Sequence, residues 1–171
     1  MGALAEYVRR EAEQLKKEVH RQEEAVREWK EAVDRLYARL KDWVAAADGG
    51  TLLLRVATSG GPLLQEPRLG PYELDTLVIS LGSRKAVITP RARYVVATIK
   101  PPGKETRRAD GTVELRSSGG TVQYYLFRLK EVDGDQWYIQ SDARWHADPL
   151  NKDVEELTSD RFEVAVLNVL Q

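Results

Sequence analysis

Residues able to do chemistry concentrate in one stretch, Ser141-Asp142-Ala143-Arg144-Trp145-His146-Ala147-Asp148. A histidine between two aspartates has the make-up of an oriented base or of a partial metal site. A carboxylate bonded to one ring nitrogen fixes the tautomer and frees the other nitrogen to act. Completing such a site takes further ligands or a nucleophile, and the chain has only two histidines, His20 and His146, and no cysteine. That composition excludes thiolate nucleophiles, disulfides and cysteine-based zinc sites. Asp and Ser are also ordinary turn residues after a strand. The stretch therefore reads as a turn, and an enzyme built on Asp142, His146 and Asp148 is the minor alternative. His20 lies in a charged stretch and reads as a solvated helix residue.

The remaining inventory is thin. No phosphate-binding, dinucleotide-binding, zinc-protease, nucleophile-elbow or calcium-loop spacing occurs. Gly60-Gly61 and Gly119-Gly120 lack the lysine or helix start that a phosphate cradle needs, so they read as loops. The pairs Glu23-Glu24 and Glu155-Glu156 supply two carboxyls, but neighbours on a helix point in different directions rather than at one bond. The sequence thus predicts no catalytic residue, no metal and no cofactor.

Charge is more informative than any motif. The chain carries 26 Lys+Arg against 27 Asp+Glu, a balance that conceals two unequal segments. Positions 84–116 have a net charge of +6 and positions 131–163 one of −7. One reading makes the first a nucleic-acid surface of Arg84, Lys85, Arg91, Arg93, Lys100, Lys104, Arg107 and Arg108, with Tyr94, Tyr124 or Tyr125 as stacking platforms. The favoured reading sets the basic and acidic segments against each other within one fold or across an oligomer contact.

These residues must be positioned by three kinds of element. From Ala3 to Asp48 there is no Pro and no Gly, and helix formers dominate. Ala5, Val8, Ala12, Leu15, Val19, Gln22, Val26, Trp29, Val33, Leu36, Leu40 and Trp43 advance by alternating steps of three and four, a heptad stripe with one polar member. Its flanks are mostly charged in the first half (Arg9, Glu11, Lys16, Glu18, Glu23) and become Ala25, Ala32, Tyr37 and Val44 in the second, interrupted by Lys30 and Arg39. A narrow stripe suits a two-stranded coil and a wide one suits burial in a larger core. The helix is expected to run free near Leu15 and to enter a core by about Trp29, with Gly49-Gly50 ending it.

Beyond Thr51, short runs rich in Val, Ile, Tyr and Thr alternate with Gly, Pro, Asp and Ser. Strands are expected over 72–81, 85–89, 94–100, 112–116, 121–130 and 136–140, with Pro101-Pro102-Gly103 as an exposed hairpin tip. Close spacing makes neighbours antiparallel. Residues 121–130 are apolar on both faces and need cover on both. Asp160-Arg161-Phe162-Glu163 has the spacing of a capping box opening a terminal helix.

The predicted fold is α+β: a long N-terminal coiled-coil-like helix, an antiparallel β-meander forming a curved sheet or small barrel, and a short C-terminal helix. Its parts are the helix (1–48), a connector with a short strand (49–71), the β-domain (72–142), and an acidic loop with the terminal helix (143–171). A length of 171 residues with 42% apolar content can bury one core. No apolar run is long enough for a signal peptide or a membrane span, and Glu6 stands where a myristoylation signal has Ser or Thr. A cytoplasmic protein is the expectation. Functionally, the pattern predicts a non-enzymatic, self-associating scaffold or adaptor, a dimer by preference, whose sheet meets another protein. Val19, Val26, Trp29, Val33, Leu36, Leu40 and Trp43 are expected to carry the assembly. Nucleic-acid binding, with the coil pairing two basic surfaces, is the alternative.

Overall fold

A computed structural model describes residues 2–171. Helix α1 runs unbroken over Ala3–Asp48, about 69 Å at 1.5 Å per residue. Gly49 and Gly50, at φ 58° and 81°, take the left-handed positions that stop it. Asp48 then organises the exit. Its carboxylate accepts from the Thr51 hydroxyl (2.8 Å) and from the amides of Leu52, Leu53 and Leu54 (2.7, 3.0 and 2.9 Å). These bonds hold Leu52 at φ 60°, which a branched side chain otherwise disfavours, and they hold the Asp48 carboxyl below its usual range.

Seven strands form one antiparallel sheet in the order β1 (Leu54–Ser59), β4 (Thr76–Leu81), β5 (Arg84–Ala92), β8 (Thr112–Ser117), β9 (Val122–Glu131), β10 (Gly134–Ser141) and β11 (Glu155–Glu156). Two excursions leave it: hairpin β2 (Leu63–Glu66) with β3 (Gly70–Glu73), and hairpin β6 (Thr98–Ile99) with β7 (Arg107–Arg108). Helices α2 (Asp142–Ala147) and α3 (Ser159–Leu170) follow. The sheet is open, with β1 and β11 at its edges, so the barrel alternative falls.

The strand alternation divides the sheet into two buried faces. Ile79, Ile88, Leu115, Leu126 and Ile139 point to the side covered by the second half of α1 and by α3. Phe127, Leu129 and Tyr138 point to the other side, where Ile99, Ala109 and Val154 cover them. Strand β9 is thus buried on both faces, as its composition requires. Trp29 stacks on Trp137 with ring centroids 6.3 Å apart, and Gly111 leaves room for the Trp29 ring, since a Cβ there would lie 2.5 Å from Cζ3. One core unites α1 with the sheet.

Several local expectations are corrected. The connector 49–71, expected to hold one short strand, contains β1 and β2 and enters β3. The expected strand 72–81 breaks at Leu74-Asp75 into β3 and β4. Residues 94–97 form a loop and only Thr98–Ile99 is strand, because Val95 and Ala97 pack onto the outer cluster as a covering segment. The cap of α3 is Thr158, whose hydroxyl accepts from the Arg161 amide, rather than Asp160. The acidic loop also contains α2, capped by Ser141.

Candidate functional site

The heptad stripe divides at the edge of the body. Residues 2–21 are exposed throughout, and Leu4, Val8, Leu15 and Val19 remain 75, 56, 61 and 51% exposed. Gln22 and Val26 are half-buried, and from Trp29 onward the stripe is covered. Trp29, Val33, Leu36 and Leu40, four of the residues expected to carry assembly, are buried within the chain's own core to 1% exposure or less. Trp43 is half-buried against Phe162, at 5.7 Å between ring centroids, with the Arg39 guanidinium 4.9 Å from its ring. Of the seven expected assembly residues, Val19 is the one that stands fully clear of the body.

A network of charges fixes the angle at which the free half leaves. Arg128 points from β9 toward α1, fully buried, with its guanidinium 5.9 Å from the Trp29 ring. It donates to Glu28 on α1 and to Asp135 at 2.7 Å. Arg93 adds a 3.3 Å bond to Glu28 and a 2.8 Å bond to the Asp110 carbonyl, and Arg35 reaches Asp135 at 2.9 Å. Partial burial alone would push the Glu28 carboxyl up, but Arg128, with Arg93 and Lys130 behind it, holds it down at about 2. A buried charge pair of this kind adds little net stability over an apolar replacement, while removing one partner leaves the other charge buried and uncompensated. Nearby, the buried Glu66 accepts from Tyr72 and from the amides of Arg93 and Tyr94 at 3.0 and 2.8 Å, tying the 93–97 loop to the β2–β3 hairpin.

On the opposite face, α2 brings Asp142 and His146 one turn apart, 3.3 Å between Oδ1 and Nε2. Tyr125 donates its hydroxyl to Asp142 at 2.8 Å and lies 3.2 Å from His146 Nε2. Burial, reinforced by Asp142, pushes the Tyr125 hydroxyl up to about 12, so it stays protonated and acts as a donor near neutrality. Beside it, burial raises the Glu114 carboxyl despite Arg91 at 3.3 Å. Asp148 is elsewhere, accepting from the Leu150 amide in a turn at 2.9 Å. The structure thus brings together two of the three residues of the enzyme reading and adds Tyr125, which sequence spacing could not pair with them. The arrangement orients His146, whose side chain is 63% exposed, without enclosing a substrate around it.

Several of the basic residues have partners within the chain. Arg93 is spent on Glu28 and Asp110, Arg91 on Glu114, and Arg107 on Glu131, the last a bond between the basic and the acidic segment. Arg108 donates to the Val95 carbonyl at 2.8 Å, and Lys104 lies 3.5 Å from the Tyr138 hydroxyl. Arg84 and Lys85 stand at the exposed start of β5, and Lys100 is exposed beside its bridge to Asp153. Arg68 and Arg93 both lie over the Tyr94 ring, at 5.3 and 5.1 Å, occupying one expected stacking platform.

Among the described residues, no group of three or more His, Asp or Glu is placed to hold a metal ion, and no helix is long and apolar enough to cross a membrane. No protein-family model, curated protein or solved structure matches the chain. The residues that sequence reasoning missed are Glu28, Arg128, Asp135 and Glu66. Only Arg128 carried a signal, as a charge on the core-facing register of an apolar strand.

Proposed function

We propose that this chain is a non-enzymatic, self-associating scaffold or adaptor module. The free half of α1 pairs with a second copy, and the sheet domain is held at its end to present a surface to another protein. The observation that carries this reading is the exposed stripe of Val8, Leu15 and Val19, in phase with the stripe that the chain's own core covers. A helix with no neighbour has no use for apolar residues at strict three-and-four spacing, and association removes them from water. The ion network at Glu28 supports a presenting role, because it roots the rod in the body at a set angle.

Sedimentation of the full chain over rising concentration tests the reading. A mass approaching twice 19.4 kDa is expected, and Leu15→Glu, which sets a carboxylate into the seam, weakens association by roughly 100-fold or more. The body contains no residue of that half-helix, so melting of the β-domain stays unchanged. A chain that remains monomeric at high concentration, or a Leu15→Glu variant that associates as the parent does, overturns the proposal.

A further inference from the structure

Direction within the pair is not encoded in the flanking charges, yet the body constrains it. The buried side chains of α1 (Trp29 to Val44) and the exposed Val8, Leu15 and Val19 lie on nearly the same side of the helix. At 3.6 residues per turn, their mean directions differ by only about 40°. The sheet therefore occupies the side toward which the free stripe faces. A parallel second helix, continued straight along that stripe, would run into the sheet at the level of Trp29, where Gly111 and Arg128 already press on the ring. With no Pro or Gly between Ala3 and Asp48, α1 has no hinge at which to splay away.

We infer that two copies pair through residues 4–22 in antiparallel orientation, each helix ending against the rim of the other's body. This inference rests on the self-association proposed above. In an antiparallel coil a positions meet d positions, and one register uses the whole free length without entering either body. It sets Ala12 opposite Leu15 of the second copy, Val8 opposite Val19, and Ala5 opposite Gln22. Small then meets large at the centre, and Gly2 of the second copy falls opposite Ala25, where α1 becomes half-buried. A shift of one heptad deeper would place Ala5 of the second copy on Trp29, which is fully covered. A shift outward would leave four layers in place of six.

The charges on the flanks do not overrule this. The register sets Glu11 near Glu18 of the second copy and Arg9 near Lys16, all exposed. Each such pair weakens association by less than about threefold, whereas overlap with a folded sheet cannot be relieved by a side-chain rotation. The parallel arrangement escapes only part of the repulsion, since it gains Glu11 with Lys16 but sets Glu18 against Glu23.

The absence of cysteine makes the test direct. Val8→Cys and Val19→Cys chains are prepared separately and treated, alone and mixed, with a short-arm bismaleimide, and their uncross-linked masses are measured alongside. The mixture is expected to give a cross-linked dimer, while each variant alone gives little. In the proposed register, two Val8 positions are about 11 residues, or roughly 16 Å, apart along the axis. A dimer in which each variant links to itself overturns the antiparallel inference and leaves self-association standing. A chain that stays monomeric overturns both.

Discussion

Replacing Trp29 by alanine separates the two halves of α1 most cleanly. The side chain is fully buried, stacks on Trp137 with centroids 6.3 Å apart, and has the Arg128 guanidinium 5.9 Å from its ring. Removing a large aromatic from a packed core costs about 3–5 kcal/mol. Loss of a desolvated cation–π contact adds about 0.5–2 kcal/mol. Each kcal/mol moves the midpoint of a chain this size by roughly 2–4 °C, so the melting temperature is expected to fall by roughly 10–20 °C. Thermal and urea unfolding followed by circular dichroism measure this, and Trp29→Phe supplies a milder companion that keeps most of the packing. The Phe variant, compared below its melting point, should self-associate as the parent does. A fall below about 3 °C for Trp29→Ala would contradict the burial argument, on a scale where each kcal/mol moves the midpoint by at least about 2 °C. A tenfold weaker association of Trp29→Phe with unchanged melting would place position 29 in the seam between copies.

Two further outcomes follow from the root of the helix. Glu28 is held at about 2, below the ordinary carboxylate value, so its contribution is complete above about pH 4.5 and is lost as the pH falls toward 2. A tenfold change in proton affinity corresponds to about 1.4 kcal/mol, but solvent screening of this partly exposed carboxylate reduces the total to about 1–2 kcal/mol. Glu28→Gln should therefore flatten stability between pH 5 and about 2 in urea titrations; an acid limb as steep as the parent's would assign it to other groups. Gly111→Ala places a Cβ 2.5 Å from Trp29 Cζ3 and should cost about 1–3 kcal/mol by overpacking. Combined with Trp29→Leu, its cost should largely vanish, and strict additivity in the double-mutant cycle would refute the contact.

The parts of this fold legible in the sequence are those set by period and punctuation. The unbroken helix, its stop at Gly49-Gly50, the antiparallel order and the two-faced burial of β9 all follow from spacing and turn residues. What the sequence hid depends on pairing across distance. Residues 94–97 have strand composition, but Val95 and Ala97 pack onto the outer cluster while Val96 stays 87% exposed, and no ladder forms. Thr158 and Asp160 are both competent caps two positions apart, and the choice between them lies with packing of Phe162 into the core. Of the Asp142, His146 and Tyr125 arrangement, only the closeness of Asp142 and His146 in sequence was visible: their pairing needs α2, where a turn was expected, and Tyr125 arrives through the β9–β10 register, Gln140 opposite Tyr125.

The division of the stripe between body and solvent has a related cause. A heptad stripe states that one side of a helix leaves water; it does not name the cover. Width does. Where the flanks are Arg9, Glu11, Lys16 and Glu18, only a neighbour as narrow as a helix can dry the stripe without desolvating charge. Where the flanks become Ala32, Tyr37 and Val44, all buried, the cover spans an arc that a sheet fills and a single helix does not. Trp29 sits at that change of width, with Ala25 and Val26 half-buried before it and Ala32 and Val33 buried after it. The stripe runs through this point without a break, so its period alone assigns both halves to one partner. The flanking residues divide the helix at the position where the structure covers it: the exposed part of the stripe ends where the charged flanks do.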